Sequence, residues 1–227
     1  MAAFKILVKF PTRQRPEKFF AALEQYVVKA KDTANLKFLI TLDTNDGTMN
    51  TLQVRREFRR WEDRGVSIDY IYGVSESKID AVNRDLRSYL KDWDIVLLAS
   101  DDMIPQVYGY DDIIRRDMKR FFPDTRGCLW YSDGFQERTC TLSIIGKKRY
   151  KELGYIYHPT YKTEYCDNEH TEVSVRDKVM SPIQPAIIHH LHPHNLNENK
   201  DPLYVRNDEF VKQDKRNFKS RKETNFL

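Results

Sequence analysis

The chain has 227 residues, of which 40% are hydrophobic and 12% aromatic, so it is long enough for one large α/β domain or two small ones with a real core. Its 38 basic and 34 acidic residues give a formal net charge of +4, which by itself is no argument for nucleic-acid binding. The three cysteines, Cys128, Cys140 and Cys166, are an odd number without metal-site spacing, which fits a reducing compartment.

The N-terminus is too short and too soon charged to be a signal peptide. No apolar run approaches the length that a bilayer requires. We therefore expect a soluble, cytoplasmic protein with no membrane span.

In the first half of the chain, short apolar runs alternate with segments of helical spacing. The predicted strands cover residues 4–10, 36–42 and 66–72 and the apolar run that follows Asp94, and the predicted helices cover residues 17–31, 49–64 and 77–91. Strands that alternate with helices predict βαβ units and a mostly parallel sheet.

The pattern changes after about Pro105. In this half we predict helices at residues 111–121, 147–153 and 169–179, and strands at residues 127–131 and 139–145. From Asn195 onward the chain is polar and charged, and we expect residues 212–227 to be a mobile or partner-dependent tail. The predicted organisation is one domain over residues 1–195, with halves 1–105 and 106–195, followed by a basic tail at 196–227.

The most informative run is residues 94–103, an apolar strand that ends in the adjacent acids Asp101 and Asp102. Ligands of open α/β sheets bind at the carboxyl ends of strands. Paired carboxylates there suit a hard divalent cation that shares its ligands with substrate phosphates. The alternative is that one acid simply caps the next turn.

Two other predicted strands also end in polar loops. The first loop contains Thr12, Arg13 and Arg15, and arginines there could pair with a phosphate or stack on a base. A solvated loop explains the same residues. The second loop begins at Asp43, which could hydrogen-bond a nucleobase or a ribose.

Lys78 and Asn83 lie in the first turns of a predicted helix for which Ser77 is the N-cap. A helix N-terminus favours anions, so Lys78 could neutralise a diphosphate. The alternative is an ordinary exposed lysine. The glycine run of a Walker-type loop is missing, which disfavours a nucleoside-triphosphate hydrolase.

The second half adds three clusters. Trp130 places an aromatic platform beside the turn at Asp133 and Gly134. Acids and a histidine occur together at Asp167, Glu169 and His170, where one of them could act as a general base, although a capped helix start explains the acids equally well. In an extended segment His190 and His192 share one face and suit manganese better than magnesium, unless they form a surface cluster without a ligand.

In this order, the pieces resemble the nucleotide-sugar-dependent glycosyltransferases of GT-A fold, especially the large inverting group called family 2. The resemblance covers roughly residues 4–195. It implies an α/β, Rossmann-like fold with a mostly parallel central sheet flanked by helices and a smaller C-terminal half on the acceptor side.

The resemblance also implies site roles. Residues Pro11, Thr12, Arg13 and Arg15 would form the first nucleotide loop, Asp43 would contact the base, and Lys78 and Asn83 would contact the donor. Ser100-Asp101-Asp102 matches the family's Asp-x-Asp motif with serine in its first position, which makes Asp102 the expected metal ligand and Asp101 a ribose or phosphate contact. His190 or His192 would complete a Mn²⁺ or Mg²⁺ site. Asp133 and Gly134, with Trp130, would lie beside the donor sugar and the acceptor.

The catalytic base is the point of departure from the family. The helix start normally reads Glu-Asp, and His170 stands where the aspartate would be. Asp167 and Glu169 are therefore the preferred candidates for the base, and His170 is the third.

The expected activity is transfer of a sugar from a nucleotide diphosphate-sugar, with UDP as the expected nucleotide, to a hydroxyl of a glycan, a small molecule or modified DNA. Inversion is expected, and retention stays open. DNA with hydroxymethylated bases is considered because the tail is basic, although such tails are often merely solvated. The basic residues of the tail are Lys212, Lys215, Arg216, Lys219, Arg221 and Lys222. The alternatives are a sugar nucleotidyltransferase and a non-catalytic sugar- or nucleic-acid-binding module.

Overall fold

The computed structural model describes residues 3–196, 199 and 201–227, without the side chain of His194. The strands in chain order are β1 (Ile6–Pro11), β2 (Leu36–Asp43), β3 (Ile68–Gly73), β4 (Ile95–Leu98), β5 (Met103–Pro105), β6 (Cys128–Leu129), β7 (Ile144–Gly146) and β8 (Ile188–His190). The α-helices are α1 (Pro16–Val28), α2 (Leu52–Asp63), α3 (Lys78–Asn83), α4 (Tyr110–Phe121), α5 (Lys147–Leu153), α6 (Cys166–Arg176), α7 (Pro193–Leu196), α8 (Pro202–Asp208) and α9 (Val211–Glu223).

Six of these strands form the central sheet in the order β3-β2-β1-β4-β7-β6. Strands β1 to β4 are parallel, and β7 runs antiparallel to both β4 and β6. A separate antiparallel pair joins β5 to β8, with Met103 opposite His190. Because β2, β1 and β4 are parallel neighbours, the loops that follow them meet at one edge of the sheet.

Both faces of the sheet are covered, which explains why its strands read as nearly continuous apolar runs. Ile6, Val8 and Phe10 belong to the core on one face of the sheet, whereas Leu7 belongs to the core on the other. Alternate residues of β1 therefore pack on opposite layers, as the two-residue repeat of a strand requires.

The helix predicted at residues 77–91 is much shorter in the structure, because α3 ends at Asn83. Asp85 has a left-handed backbone with φ of 73°, and a 3₁₀ turn follows at Leu86–Tyr89. The side chains at this break bond to the strands: the Thr41 hydroxyl donates to Asp85 at 2.9 Å and Arg84 donates to the Leu42 carbonyl at 2.8 Å. These contacts replace the next turn of helix.

The expectation of a mobile tail at residues 212–227 is wrong, because this segment contains α9 and its last turns. The buried carboxylate of Asp214 accepts hydrogen bonds from the backbone N–H groups of residues 162, 163 and 164. Arg221 forms two hydrogen bonds with Glu169 on α6. Besides these polar contacts, Phe218 packs against the core, with its ring 5.7 Å from that of Tyr165. Helix α9 lacks a longer apolar stripe, which is why its sequence resembles a tail.

Within the described part of the chain, every helix is too short or too polar to cross a membrane.

Candidate active site

The ends of β1 and β2 are joined by an arginine–aspartate pair. Arg13 donates to Asp43 at 2.6 Å and to Asn45 at 2.9 Å. Arg84 approaches the other oxygen of Asp43 at 3.6 Å. Asp43 therefore lies between two cations at the end of β2.

Several polar atoms in this region are buried without a hydrogen-bond partner in the described structure. They are Thr12 Oγ1, Arg13 Nε, Arg15 Nε and Asp43 Oδ1. Buried polar atoms in folded proteins are usually hydrogen-bonded, so a cluster of such atoms at strand ends is where a polar ligand would complete the bonding. Sequence patterns predicted all four of these residues as site residues.

The neighbouring strand β4 supplies the acid pair. Asp101 accepts a hydrogen bond from Arg15 at 3.0 Å. Burial, with Asp102 adding to it, raises the pKa of Asp101 to about 6 against the opposing effect of Arg15. Arg15 is therefore the main group that stabilises the ionised form of Asp101.

Asp102 has three polar neighbours of its own. One oxygen accepts from the Ser100 hydroxyl, and the other accepts from the Tyr204 hydroxyl at 2.6 Å and lies 3.5 Å from His190 Nε2. Burial acts to raise the pKa of Asp102, but these partners, His190 first, hold it well below its usual range. Asp102 is therefore a stable carboxylate beside an imidazole.

No group of three His, Cys, Asp or Glu side chains in the described residues is arranged to hold a metal ion. The pair Asp102–His190 nevertheless fits a divalent ion that takes its other ligands from water and substrate phosphates. A carboxylate with an imidazole suits Mn²⁺. Strand β8 brings His190 to Asp102, and the ring of His192, two residues after the strand, lies 5.5 Å from that of His190.

Lys78 is solvent-accessible and has several carboxylates near it. Enclosure lowers the pKa of Lys78, but the carboxylates of Glu164, Asp102 and Asp167 outweigh it and the pKa is raised. The structure therefore brings this predicted cation close to the acid pair.

Asn83 has a different environment. Its amide donates to the Tyr157 carbonyl at 2.7 Å and accepts from the N–H groups of Ile156 and Tyr157. Three of its hydrogen-bonding positions are thus engaged by the protein. The amide fastens α3 to the segment after α5.

The three candidates for a base lie in different surroundings. Asp167 is partly accessible, and burial raises its pKa despite the nearby Lys78. Glu169 is buried, and both of its oxygens are bonded to Arg221, one of them also to the Tyr161 hydroxyl. Burial, with Arg149, lowers the pKa of the buried His170 to about 4, so its ring is neutral near pH 7.

The turn predicted beside the acceptor is tightly bonded. Asp133 is buried and accepts from the N–H groups of Phe135 and Gln136, from the Gln136 amide and from the Thr141 hydroxyl. Gly134 has φ of 88°, and a Cβ there would lie 2.7 Å from the His189 ring. The Asp133 carbonyl accepts from His190 N–H at 2.9 Å, which couples this turn to β8.

Trp130 precedes that turn and is half-buried, and its indole N–H has no partner in the described structure. Its backbone bonds to the segment at residues 181–184. These bonds fix the backbone of Trp130 to the segment that precedes β8.

Sequence reasoning missed Asp201 and Tyr204, which contact Arg15 and Asp102 from the C-terminal segment. The available signal was an N-cap: aspartate followed by proline is typical of a helix start. Nothing in the sequence indicates that this helix start contacts the acid pair.

No protein-family model matches the sequence, and no curated protein is significantly similar to it. Among solved structures, the mannosyltransferase PcManGT from Pyrobaculum calidifontis in complex with GDP-Man and Mn²⁺ is similar with a TM-score of 0.57 and 13% identity. The similarity covers 82% of this chain and 58% of that one.

S. aureus TarS 1-349 in complex with UDP is similar with a TM-score of 0.60 and 14% identity, over 96% of this chain and 71% of that one. The same TarS segment in complex with UDP-GlcNAc gives a TM-score of 0.57 at 14% identity, over 87% of this chain and 62% of that one. The chain thus spans about three-fifths of the length of the mannosyltransferase. The chain has the α/β GT-A fold of nucleotide-sugar glycosyltransferases, and the predicted fold class is confirmed.

Proposed function

We propose that the protein is a metal-dependent glycosyltransferase that moves a sugar from a nucleoside diphosphate-sugar to an acceptor hydroxyl. The observation that carries this proposal is the cluster of buried polar atoms without a hydrogen bond at the ends of β1 and β2, beside the acid pair that follows β4. A nucleotide offers the donors and acceptors that these atoms lack. The GT-A fold of the chain agrees with this use of the sheet edge.

The donor's nucleoside would bind at the ends of β1 and β2, with Asp43 on the base and Pro11 and Thr12 beside it. Arg15 and Lys78 are the cations for the diphosphate, and Asp101 is a ribose or phosphate contact. UDP is the expected nucleotide because of the family resemblance. GDP is the competing choice, since the solved neighbours include complexes with either.

Asp102 and His190 would hold the metal, with His192 beside them. When bound, a divalent ion neutralises charge that develops on the departing diphosphate. Mn²⁺ and Mg²⁺ are both candidates, and the imidazole favours Mn²⁺.

Asp167 is our candidate for the general base. Its carboxylate would take the proton of the acceptor hydroxyl while the hydroxyl oxygen bonds to the anomeric carbon. The bond from that carbon to the diphosphate oxygen breaks, and the diphosphate leaves with the electron pair. Attack opposite to the leaving group inverts the anomeric centre. Raised affinity for protons makes Asp167 a better base than an ordinary surface carboxylate.

We assign Glu169 a structural role, because its oxygens are already engaged by Arg221 and Tyr161. The turn at Asp133 and Gly134, with Trp130 behind it, is the candidate acceptor side, since it bonds directly to β8. The free, buried thiols Cys128, Cys140 and Cys166 support a reducing, cytoplasmic location.

The first test is Asp102→Asn. We expect metal-dependent hydrolysis or transfer of a nucleotide-sugar to fall by about 100-fold or more, with an unchanged melting temperature. Asp94→Asn, at the other end of the same strand, is the matched control and should keep wild-type turnover. Full activity in Asp102→Asn would remove the metal assignment. Absence of any nucleotide-sugar turnover in the wild type would favour a binding module.

One surface feature bears on the identity of the acceptor. On α9, Lys212, Lys215, Arg216 and Lys219 are exposed at spacings of three and four residues, so they share one face. None of these four has an ion-pair partner in the described structure, whereas Arg221 and Lys222 are paired with α6. An exposed stripe of cations favours a polyanionic acceptor such as modified DNA over a neutral glycan.

A further inference from the structure

The segment from Asp201 to Tyr204 lies on the candidate donor site. Asp201 is the N-cap of α8 and accepts from the N–H groups of Leu203 and Tyr204. The same carboxylate forms ion pairs with Arg15 at 2.7 Å and with Lys18 at 3.6 Å. The Asp201 carboxylate therefore pairs with both Arg15 and Lys18, the cations that follow β1.

Tyr204 continues the contact toward the acid pair. Its hydroxyl donates to Asp102 at 2.6 Å. The Arg15 guanidinium lies 4.1 Å from the centre of its ring, and the ring of His192 is 4.8 Å away. One side chain thus touches a metal-ligand candidate, a diphosphate-binding candidate and a neighbouring histidine.

These contacts use the groups that a metal-bound diphosphate would use. Arg15 divides its guanidinium between Asp101 and Asp201. On Asp102, the Tyr204 proton bonds to the same oxygen that faces His190. On Arg15, the Asp201 carboxylate carries a negative charge as a phosphate would. On Asp102, the hydroxyl proton of Tyr204 occupies an oxygen that a cation would use.

We propose that the segment from Asp201 to Tyr204 is an autoinhibitory cap that occupies the donor site and must withdraw before a metal–nucleoside diphosphate binds. This inference rests on the proposed function. It makes Tyr204 a competitor of the metal and Asp201 a competitor of the diphosphate.

The way in which α8 is held supports its withdrawal. Among its residues, none is buried, and Val205 is 55% exposed. Its N-terminal end is attached by the bonds of Asp201 to Arg15 and of Tyr204 to Asp102, which a ligand would take over. Its C-terminal end is attached through the Asn207 carbonyl, which accepts from the Thr163 hydroxyl at 3.1 Å. Helix α9, in contrast, is fastened away from Asp102 by the buried Asp214 and by the pair Arg221–Glu169. The cap can leave while α9 stays in place.

The test uses the full chain and isothermal titration with MnCl₂ together with UDP, and separately with GDP. We compare the wild type, Tyr204→Phe and the double variant Asp201→Asn/Tyr204→Phe. Tyr108→Phe is the control, because Tyr108 is 68% exposed and has no hydrogen bond from its hydroxyl in the described structure. The readout is the affinity of binding, so the test does not rely on activity.

We expect Tyr204→Phe to bind one metal–nucleotide pair about tenfold more tightly than the wild type, since a hydrogen bond to a charged group no longer competes. The double variant should bind more tightly still.

Two results would overturn the inference. If the wild type binds a metal–nucleotide pair and Tyr204→Phe binds it equally or more weakly, the cap is a part of the donor site and the proposed function stands. If the wild type and the double variant both fail to bind either pair, the proposed function fails together with the inference.

Discussion

Adjacent residues of this chain have opposite electrostatic environments. Asp101 and Asp102 are neighbours in sequence, yet burial raises the pKa of one to about 6 while hydroxyl and imidazole partners hold the other well below its usual range. The difference comes from side chains that approach from distant parts of the chain. A two-residue acidic motif therefore predicts a site, but the protonation of each acid is decided by side chains that the motif does not contain.

Lys9 is a second residue whose environment decides its charge. It is fully buried in β1, where its ammonium group bonds to the Thr41 hydroxyl and to the Arg84 carbonyl. Burial lowers the pKa of Lys9 to about 7, although Asp85 opposes this. In the unfolded chain the pKa of this lysine is near its ordinary value of about 10.4.

This shift predicts pH-dependent stability. Below about pH 7 both states hold the proton and burial of the charge costs up to about 5 kcal/mol. Between about pH 7 and 10 only the unfolded state keeps the proton, so the free energy of unfolding rises with pH by up to about 1.4 kcal/mol per unit. Lys9→Met removes this contribution. In urea unfolding at pH 7.5 and 9.5, the difference between the wild type and Lys9→Met should change by about 2–3 kcal/mol.

The exposed Lys5→Met, just before the same strand, is the control and should show no such change. A difference between wild type and Lys9→Met that stays constant across the two pH values would mean that Lys9 remains protonated in the interior, paired with Asp85.

At the scale of elements, α6 combines two carboxylates in different surroundings, to which we assign different roles. Asp167 lies in its first turn beside the charge of Lys78, and Glu169 lies two residues later, fastened to Arg221 of α9. Helical positions two residues apart face different directions, so Asp167 lies near Lys78 whereas Glu169 faces α9.

This division predicts opposite phenotypes. Asp167→Asn should lower kcat by about 100-fold or more, because the proposed general base is lost, and should leave the free energy of unfolding unchanged. Glu169→Gln should lower the free energy of unfolding by about 3 kcal/mol, since it leaves the Arg221 charge without its partner in a largely buried contact. Turnover per folded molecule should stay near that of the wild type. Steady-state kinetics at saturating donor and urea unfolding measure the two effects.

The reverse pattern, in which Glu169→Gln loses turnover without losing stability, would identify Glu169 as the base. Glu172→Gln is the control for the loss of a carboxylate on the same helix, because its pair with Lys222 is exposed and contributes little.

Some helices and strands could be predicted from the sequence and others could not. The buried strands were predicted from apolar runs because both faces of the sheet are covered. The early end of α3 and the order of α9 were missed, because both depend on bonds from polar side chains to distant backbone, such as Asp214 to the N–H of Thr163. Local composition carries no trace of such bonds.

For the whole molecule, the order of strand-end loops along the chain was enough to predict the GT-A fold and to collect Arg13, Asp43 and Asp102 at one sheet edge. It could not predict the contact of Tyr204 with Asp102 across 102 residues or that of Asp201 with Arg15 across 186. Such pairings arise only when the C-terminal segment folds back over the finished sheet. The strand-end residues of the candidate site can therefore be predicted from the sequence, whereas the segment from Asp201 to Tyr204 that contacts them cannot.

The distribution of charge over the whole surface leads to a last prediction, on the acceptor. The net charge is only +4, so a polyanion would be bound by a local feature, and the cationic face of α9 is the candidate. Duplex DNA should therefore bind with a strong salt dependence. Lys215→Glu/Lys219→Glu should weaken binding and lower the slope of log affinity against log salt by about 2.

The comparison variant is Arg56→Glu/Arg59→Glu, which reverses the charge of two exposed residues on α2 and changes the net charge by the same amount. Fluorescence anisotropy with a labelled duplex at several salt concentrations measures both. If the two variants weaken binding equally, the attraction follows overall charge and α9 is no specific docking face. If the wild type does not bind DNA even at low salt, DNA is excluded as an acceptor. Glycans and small molecules then remain, and their recognition would depend on the turn at Asp133 and Gly134 rather than on α9.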